Sequence, residues 1–313
     1  MKFETAAVIG TGMMGPGIAG ALAYGGLQTV ILSRSEATAA EGLAKALGQI
    51  ELLESHGLME SARAAKARTL LSSSADFDGT IATVDLVVES APENMAFKQD
   101  LFARMDALAK PEAVLATNTS GLSVTEIAAK CKHPERVMTT HFWNPPHLMP
   151  LVEIVLGAKT GRAIAEEVRD LLTLCGKVPV MVKRDTPGQL GNRLQMALVR
   201  EAIHIVQEGI ADVEDVDLAA MSGFGLRLPM YGIFEHQDLV GLDMAKSIVD
   251  YVAQDLNAEK RAPQMLQDLV AAGNLGAKSG KGFYDWSKKD ATAVKQRRDK
   301  FVLQVRKWQK SPD

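Results

Sequence analysis

Short unbroken apolar runs alternate with longer helical patterns along the first part of the chain. The runs are "TAAVIG" (5–10), "QTVILS" (28–33), "TVDLVVES" (83–90), "AVLATN" (113–118), "VMTTHF" (137–142), "LVEIVLG" (151–157) and "VPVMVK" (178–183). Four to eight apolar residues bounded by turn signals, with no polar alternation, fit strands buried on both faces. Between them, "GPGIAGALAYGG" (15–26) reads as a helix of small residues closed by Gly25 and Gly26. Residues 36–70 read as one long helix or a helical pair broken near "SHGLM" (55–59), and 161–176 as a further helix. Strands alternating with helices predict an α/β, Rossmann-type doubly wound parallel sheet.

After "DTPG" (185–188) the pattern changes, and only helices are predicted from there to the end. The boundary is placed at 185/186, giving an N-terminal α/β domain (1–185) and an all-α C-terminal domain (186–313). In the run that begins "QLGNRLQMALVREAIHIVQEG" (189–209), apolar residues stand at 190, 194, 197, 198, 202 and 205, and again at 196, 199, 203, 206 and 210. That is more than one apolar face, so this helix is expected to be buried on several sides. Dimerisation and a monomeric core leave the same pattern.

Composition narrows the classes. The 313 residues suffice for two domains, and a net charge of -3 gives no electrostatic footprint for nucleic acid. Cys131 and Cys175 form no CxxC pair and no metal-ligand spacing, so they read as reduced, mostly buried thiols of a cytoplasmic protein with no metal. The opening "MKFETAAVIG" does not read as a signal peptide, and no apolar stretch is long enough to span a membrane. The basic amphipathic "KKDATAVKQRRDKFVLQVRKWQK" (288–310) reads as a solvated C-terminal helix rather than a membrane or partner element.

Two stretches carry chemistry. "GTGMMG" (10–15) lies between a strand and a helix, where Gly10, Gly12 and Gly15, with Met13 and Met14 in the same turn, form a dinucleotide fingerprint with the pyrophosphate at the helix N-terminus. The second strand ends in Ser33-Arg34-Ser35, with no acid for the adenosine ribose hydroxyls. A guanidinium and two hydroxyls suit a 2′-phosphate, which favours NADP; an Arg34 stacked on adenine leaves NAD in place. "TNTSGL" (117–122) sets Asn118 and Ser120 at a strand's carboxyl end. In "HFWNPPHLMPLVEIV" (141–155), His141 ends one strand and Glu153 lies in the next. If the intervening loop turns the chain back, imidazole and carboxylate meet as a base and its orienting acid. Asn192, early in the next helix, is a polar candidate near the same place. Each has a plain structural reading too, as a satisfied core polar group or a helix-end hydrogen bonder.

"VIGTGMMGPGIA", "DLVVESAPENMAFKQDLF", "ATNTSGLSVTEIA", "HFWNPPHLMPLVEIV", "DTPGQLGNRL", "SGFGLRLPMYGIFEHQDLVGLD" and "LGAKSGKGFYDW" resemble, in order and spacing, the L-3-hydroxyacyl-CoA dehydrogenase family over nearly the whole chain. The resemblance implies an NAD(P)-binding domain, a helical C-terminal domain that forms a homodimer, and an active site between them. It implies His141 as catalytic base, Glu153 as its acid, and Ser120 and Asn192 as hydrogen-bond partners of the reacting oxygen. Glu93 and Lys98, in "PENMAFK", would contact the cofactor ribose, and Asn118 would line the nicotinamide site. The leading expectation is interconversion of a 3-hydroxyacyl-CoA and a 3-oxoacyl-CoA. Arg34, and "PGQLGNR" in place of the family's usual "PGFIVNR", depart from the pattern. "NPPHLMPLVEIV" and "NRLQ" also resemble the gulonate dehydrogenase and lambda-crystallin branch, which acts on free hydroxy acids; that is the alternative. A non-catalytic dinucleotide-binding protein is the second. A reader of CoA would want cations on the 36–70 helical segment, where Arg63, Lys66 and Arg68 are available, although a solvated helix face explains them equally well.

Overall fold

The computed structural model describes residues 3–310. The first unit is built on a sheet of eight strands: β1 (Thr5–Ile9), β2 (Gln28–Leu32), β3 (Leu71–Ser74), β4 (Leu86–Glu89), β5 (Val114–Thr117), β6 (Val137–Phe142), β7 (Leu151–Val155) and β8 (Val178–Val182). Their spatial order is β3-β2-β1-β4-β5-β6-β7-β8, and every neighbouring pair is parallel except β6 and β7. Strand order reverses between β1 and β4, so the crevice outside their carboxyl ends is where such a sheet binds ligands.

The apolar runs are unbroken because both faces of the sheet are covered. Ala6, Val8, Leu86 and Val88 pack on one side with α1 (Gly15–Tyr24), α2 (Glu36–Ser55), α3 (Ser61–Leu70) and, further along the chain, the helix Arg162–Leu174. Ala7, Val87 and Leu115 point the other way, against the region of α4 (Phe77–Ile81), α5 (Met95–Leu108) and α6 (Val124–Ile127). The helix Arg162–Leu174, α7, completes this unit's layers. The expected break in 36–70 falls between α2 and α3. β3 was not foreseen: its "LSSS" holds one apolar residue, and it pairs only with β2 at the sheet's edge.

The rest is helical: α8 (Gly191–Gln207), α9 (Val213–Ser222), α10 (Phe224–Arg227), α11 (Ile233–Val240), α12 (Leu242–Val252), α13 (Gln264–Ala271) and α14 (Ala291–Lys310). The second compact unit is Arg193–Phe301, while the chain through Asn192 and the end of α14 from Val302 belong to the first. Residues 186–192 stay with the sheet because they are hydrogen-bonded to it. Gln189 Nε2 donates to Thr119 O at 2.9 Å, and the Leu190 and Gly191 amides donate to Glu153.

Two expectations are corrected. α8 is not buried on several sides in this chain: Leu194, Met196 and Leu198 each keep about half their surface exposed, and Ile203 is its only buried residue. The C-terminal helix is not wholly solvated either. Leu303 is buried with Leu53, Leu58 and Leu148 of the first unit. Cys175 is buried and Cys131 half-buried, and burial pushes their thiols up to about 12 and about 11. Among the described residues no helix is long and apolar enough to cross a membrane.

Candidate active site

The β6–β7 pair is antiparallel and sets His141 directly opposite Glu153. The loop between them does turn the chain back, and the side chains meet: His141 Nδ1 lies 2.7 Å from Glu153 Oε2. Trp143 Nε1 donates to the same oxygen at 2.9 Å. The other oxygen, Oε1, accepts the amides of Leu190 at 2.9 Å and Gly191 at 2.8 Å. Glu153 is fully buried. Burial alone would raise its carboxyl, but the hydrogen bonds from His141, Gly191, Trp143 and Leu190 outweigh that and hold it at about 2. A carboxylate only accepts, so it fixes the Nδ1–H tautomer of His141 and leaves the Nε2 lone pair facing away from it.

Trp143 and the two amides escaped sequence reasoning. Trp143 carried a signal, since it stands two residues after His141 and strand side chains repeat with a period of two. The amides carried none, because backbone groups have no residue signature. Gly191 has a second reason to be glycine: a Cβ there would lie 2.5 Å from the Trp143 ring.

The other candidates form a connected network at the carboxyl ends of β4 and β5. Asn118 Oδ1 accepts the Phe142 amide at 2.8 Å, tying β5 to β6 beside His141. Ser120 is exposed, its hydroxyl carries no bond among the described residues, and its carbonyl accepts Asn192 Nδ2 at 3.1 Å. Glu93 gathers the Thr119 hydroxyl and the amides of Ser120 (3.1 Å) and Gly121 (3.3 Å). The ribose contact expected of Lys98 is not what its surroundings show. Its ammonium is buried and bonded to both oxygens of Glu89, at 2.6 and 2.8 Å, with Glu93 at 3.6 Å. Glu89, at the end of β4, was missed. It also accepts Thr117 Oγ1 at 2.7 Å, so it anchors the base of the 117–122 loop.

The glycine loop fits a dinucleotide. Gly10 has φ +110°, and a Cβ on Gly15 would fall 1.8 Å from the Gly10 carbonyl, so helix and strand come together only without side chains there. Gly12 faces open space, Met13 is exposed, and no side chain caps the N-terminus of α1 at Met14. Free helix-end amides beside an open approach suit a pyrophosphate. At the end of β2, Arg34 is exposed with no partner among the described residues. Ser33 Oγ lies 2.6 Å from Thr38 Oγ1, and Ser35 Oγ caps α2.

The pattern described as "3-hydroxyacyl-CoA dehydrogenase, NAD binding domain" matches residues 5–186, and "3-hydroxyacyl-CoA dehydrogenase, C-terminal domain" matches 188–286. The chain belongs to the 3-hydroxyacyl-CoA dehydrogenase family. Its first unit is thus an NAD binding domain and the protein an NAD-linked dehydrogenase by family. It is 34% identical over 303 residues to 5-formyl-3-hydroxy-2-methylpyridine 4-carboxylate 5-dehydrogenase of Mesorhizobium japonicum, spanning 96% of each chain. Among solved structures, a 5-dehydrogenase of the same pyridine acid, described as an NAD+ dependent dismutase, matches with TM-score 0.91 and 31% identity over 99% of both chains. (S)-3-hydroxybutyryl-CoA dehydrogenase from Ralstonia eutropha matches with TM-score 0.75 and 30% identity, covering 91% of this chain and all of that one.

Proposed function

We propose that the protein interconverts a small alcohol and its carbonyl compound in free form, not as a CoA thioester, with His141 as the acid–base group. The observation that carries the chemistry is the His141–Glu153 bond at 2.7 Å, which leaves Nε2 as the base. In oxidation Nε2 takes the hydroxyl proton; in reduction it returns it. The buried carboxylate stabilises the imidazolium between the two. The Ser120 hydroxyl and Asn192 Nδ2 are the donors assigned to the reacting oxygen. The nicotinamide, when bound, accepts or gives the hydride. Gly10, Gly12, Met13, Met14 and Gly15 would hold its pyrophosphate. Asn118 would line the nicotinamide side, and Glu93 would reach the ribose. Lys98 keeps Glu89 and Glu93 in place from beneath.

The free substrate is favoured over the thioester by the helical pair. Arg63 donates to the carbonyls of Tyr24 (3.0 Å) and Leu174 (2.9 Å) and stacks on the Tyr24 ring, while Arg68 is paired with Glu54 at 2.6 Å. Two of the three cations that a CoA reader needs there are thus already engaged. The match over 99% of both chains with the structure of a dehydrogenase of a free pyridine acid supports the same reading. A 3-hydroxyacyl-CoA is the second reading, supported by the Ralstonia eutropha match. The test is oxidation of NADH and NADPH with free carbonyl acids, 5-formyl-3-hydroxy-2-methylpyridine 4-carboxylate among them, beside acetoacetyl-CoA. Turnover of a free acid is expected. A higher kcat/KM for acetoacetyl-CoA than for every free acid overturns the proposal.

Arg34 favours NADPH on charge grounds, since no carboxylate stands at 33–35. Arg34→Asp is expected to shift the ratio of kcat/KM from NADPH towards NADH by about tenfold, or ~1.4 kcal/mol. An unmoved ratio removes Arg34 from phosphate recognition. The exposed apolar side chains of the second unit, Leu198, Phe234 and Tyr251 among them, support a homodimer.

A further inference from the structure

The loop that joins His141 to Glu153 has no strand partner of its own, yet every carbonyl from 145 to 150 meets a donor. Pro145 O accepts the Leu148 and Met149 amides, at 3.0 and 2.9 Å, and Pro150 O the Val178 amide at 2.9 Å. The four between them are met by two distant side chains. Lys177 Nζ donates to Pro146 O and, at 3.2 Å, to Met149 O. Arg306, on the last turns of α14, donates to Leu148 O at 3.0 Å and His147 O at 3.4 Å. Unpaired buried carbonyls are costly, so these two cations complete the loop's hydrogen bonding.

Packing fixes the same loop from both sides. Leu148 is buried against Leu53, Leu58 and Leu303. Gly17 of α1 lies so close beneath that a Cβ would sit 2.7 Å from Pro146 Cγ. Lys310 donates to Leu58 O at 2.5 Å and closes the end of α14 onto the turn between α2 and α3. Among the described residues no carboxylate pairs with Arg306 or Lys177. Burial and the Arg306 charge pull Lys177 down to about 7, with Cys175 opposing. Burial lowers Arg306 too, from the much higher ordinary value of a guanidinium. The family's C-terminal pattern ends at residue 286, before α14 begins at Ala291, while the pyridine-acid dehydrogenase structure matches over 99% of this chain.

We infer that the end of α14 is a strap across the β6–β7 loop, and that Arg306 is a positioning residue holding that loop so that His141 and Glu153 keep their register. The inference rests on the reading of His141 as the base. It assigns no contact between Arg306 and substrate or cofactor.

The test uses the full chain labelled with nitrogen-15 histidine, in which His141 is assigned by comparison with His141→Gln. In the parent protein the His141 ring should show the single Nδ1–H tautomer. Arg306→Ala is expected to give a mixture of tautomers at His141 and a kcat lower by about 10- to 100-fold, the scale of a misplaced catalytic group. The other histidine signals and the Kd for NADH should hold. Arg306→Lys, which keeps one donor group on the loop, should recover part of both effects, and it carries the test if the alanine variant does not fold. Unchanged His141 signals and kcat overturn the strap. So does a change spread over all the histidines with loss of NADH binding, which marks general loosening. If His141→Gln itself retains turnover, the base assignment fails instead, and the two failures are told apart.

Discussion

Replacing His141 with alanine is expected to lower kcat by about 10²- to 10⁴-fold, the usual contribution of a positioned general base. The Kd for NADH should stay near that of the parent protein. The two effects separate because the groups sit on different elements: the base lies near the end of β6, whereas the phosphate cradle lies between β1 and α1. The fold should survive. Glu153 loses one of its four donors and keeps Trp143, Leu190 and Gly191, so the stability cost is about 1–3 kcal/mol. Stopped-flow reduction with cofactor in excess, beside an equilibrium titration of NADH fluorescence, measures both quantities. A kcat within a few-fold of the parent protein would show that the proton leaves by another group.

Much of this site was legible in the sequence because its parts are local signals. The glycine loop announces itself between a strand and a helix. His141 and Glu153 stand twelve residues apart across a Pro-rich turn, and an antiparallel hairpin converts that spacing into opposition. What escaped lacks a local signature, for a different physical reason in each case. β3 was invisible because an edge strand with one neighbour needs few apolar residues. The ribose contact that the resemblance implies for Lys98 left out its pairing with Glu89, nine residues back at the end of a strand of apolar character. Arg306 looked like one cation of a solvated basic helix, and its acceptors are carbonyls about 158 residues earlier. In α8 the pattern was read correctly as apolar on several faces, but periodicity reports which faces need cover, not whether the same chain provides it.

Glu153→Gln is expected to be nearly as damaging as loss of the base, although it alters one atom. All four groups around the carboxylate are donors: His141 Nδ1 and Trp143 Nε1 on Oε2, and the Leu190 and Gly191 amides on Oε1. A glutamine offers one acceptor and one donor. With its NH₂ towards residues 190 and 191 it meets two N–H groups that cannot accept, and the segment leading to Asn192 is pushed away. With its NH₂ towards His141 it favours the tautomer with the proton on Nε2, which blocks the base. Either orientation should lower kcat by two orders of magnitude or more, on the scale of losing tautomer control in a His–carboxylate pair. The variant should also respond differently to acid. Glu153 is held at about 2 in the fold against an ordinary 4.5, so its ionised form stabilises the native state above pH 4.5, by roughly 3 kcal/mol. That contribution fades as pH falls from 4.5 through about 2. Glutamine never has it. The stability gap between parent and variant, measured by urea unfolding, should therefore be widest near neutral pH and close progressively below pH 4.5. A gap that stays constant with pH would mean that the carboxylate is not held ionised by these donors.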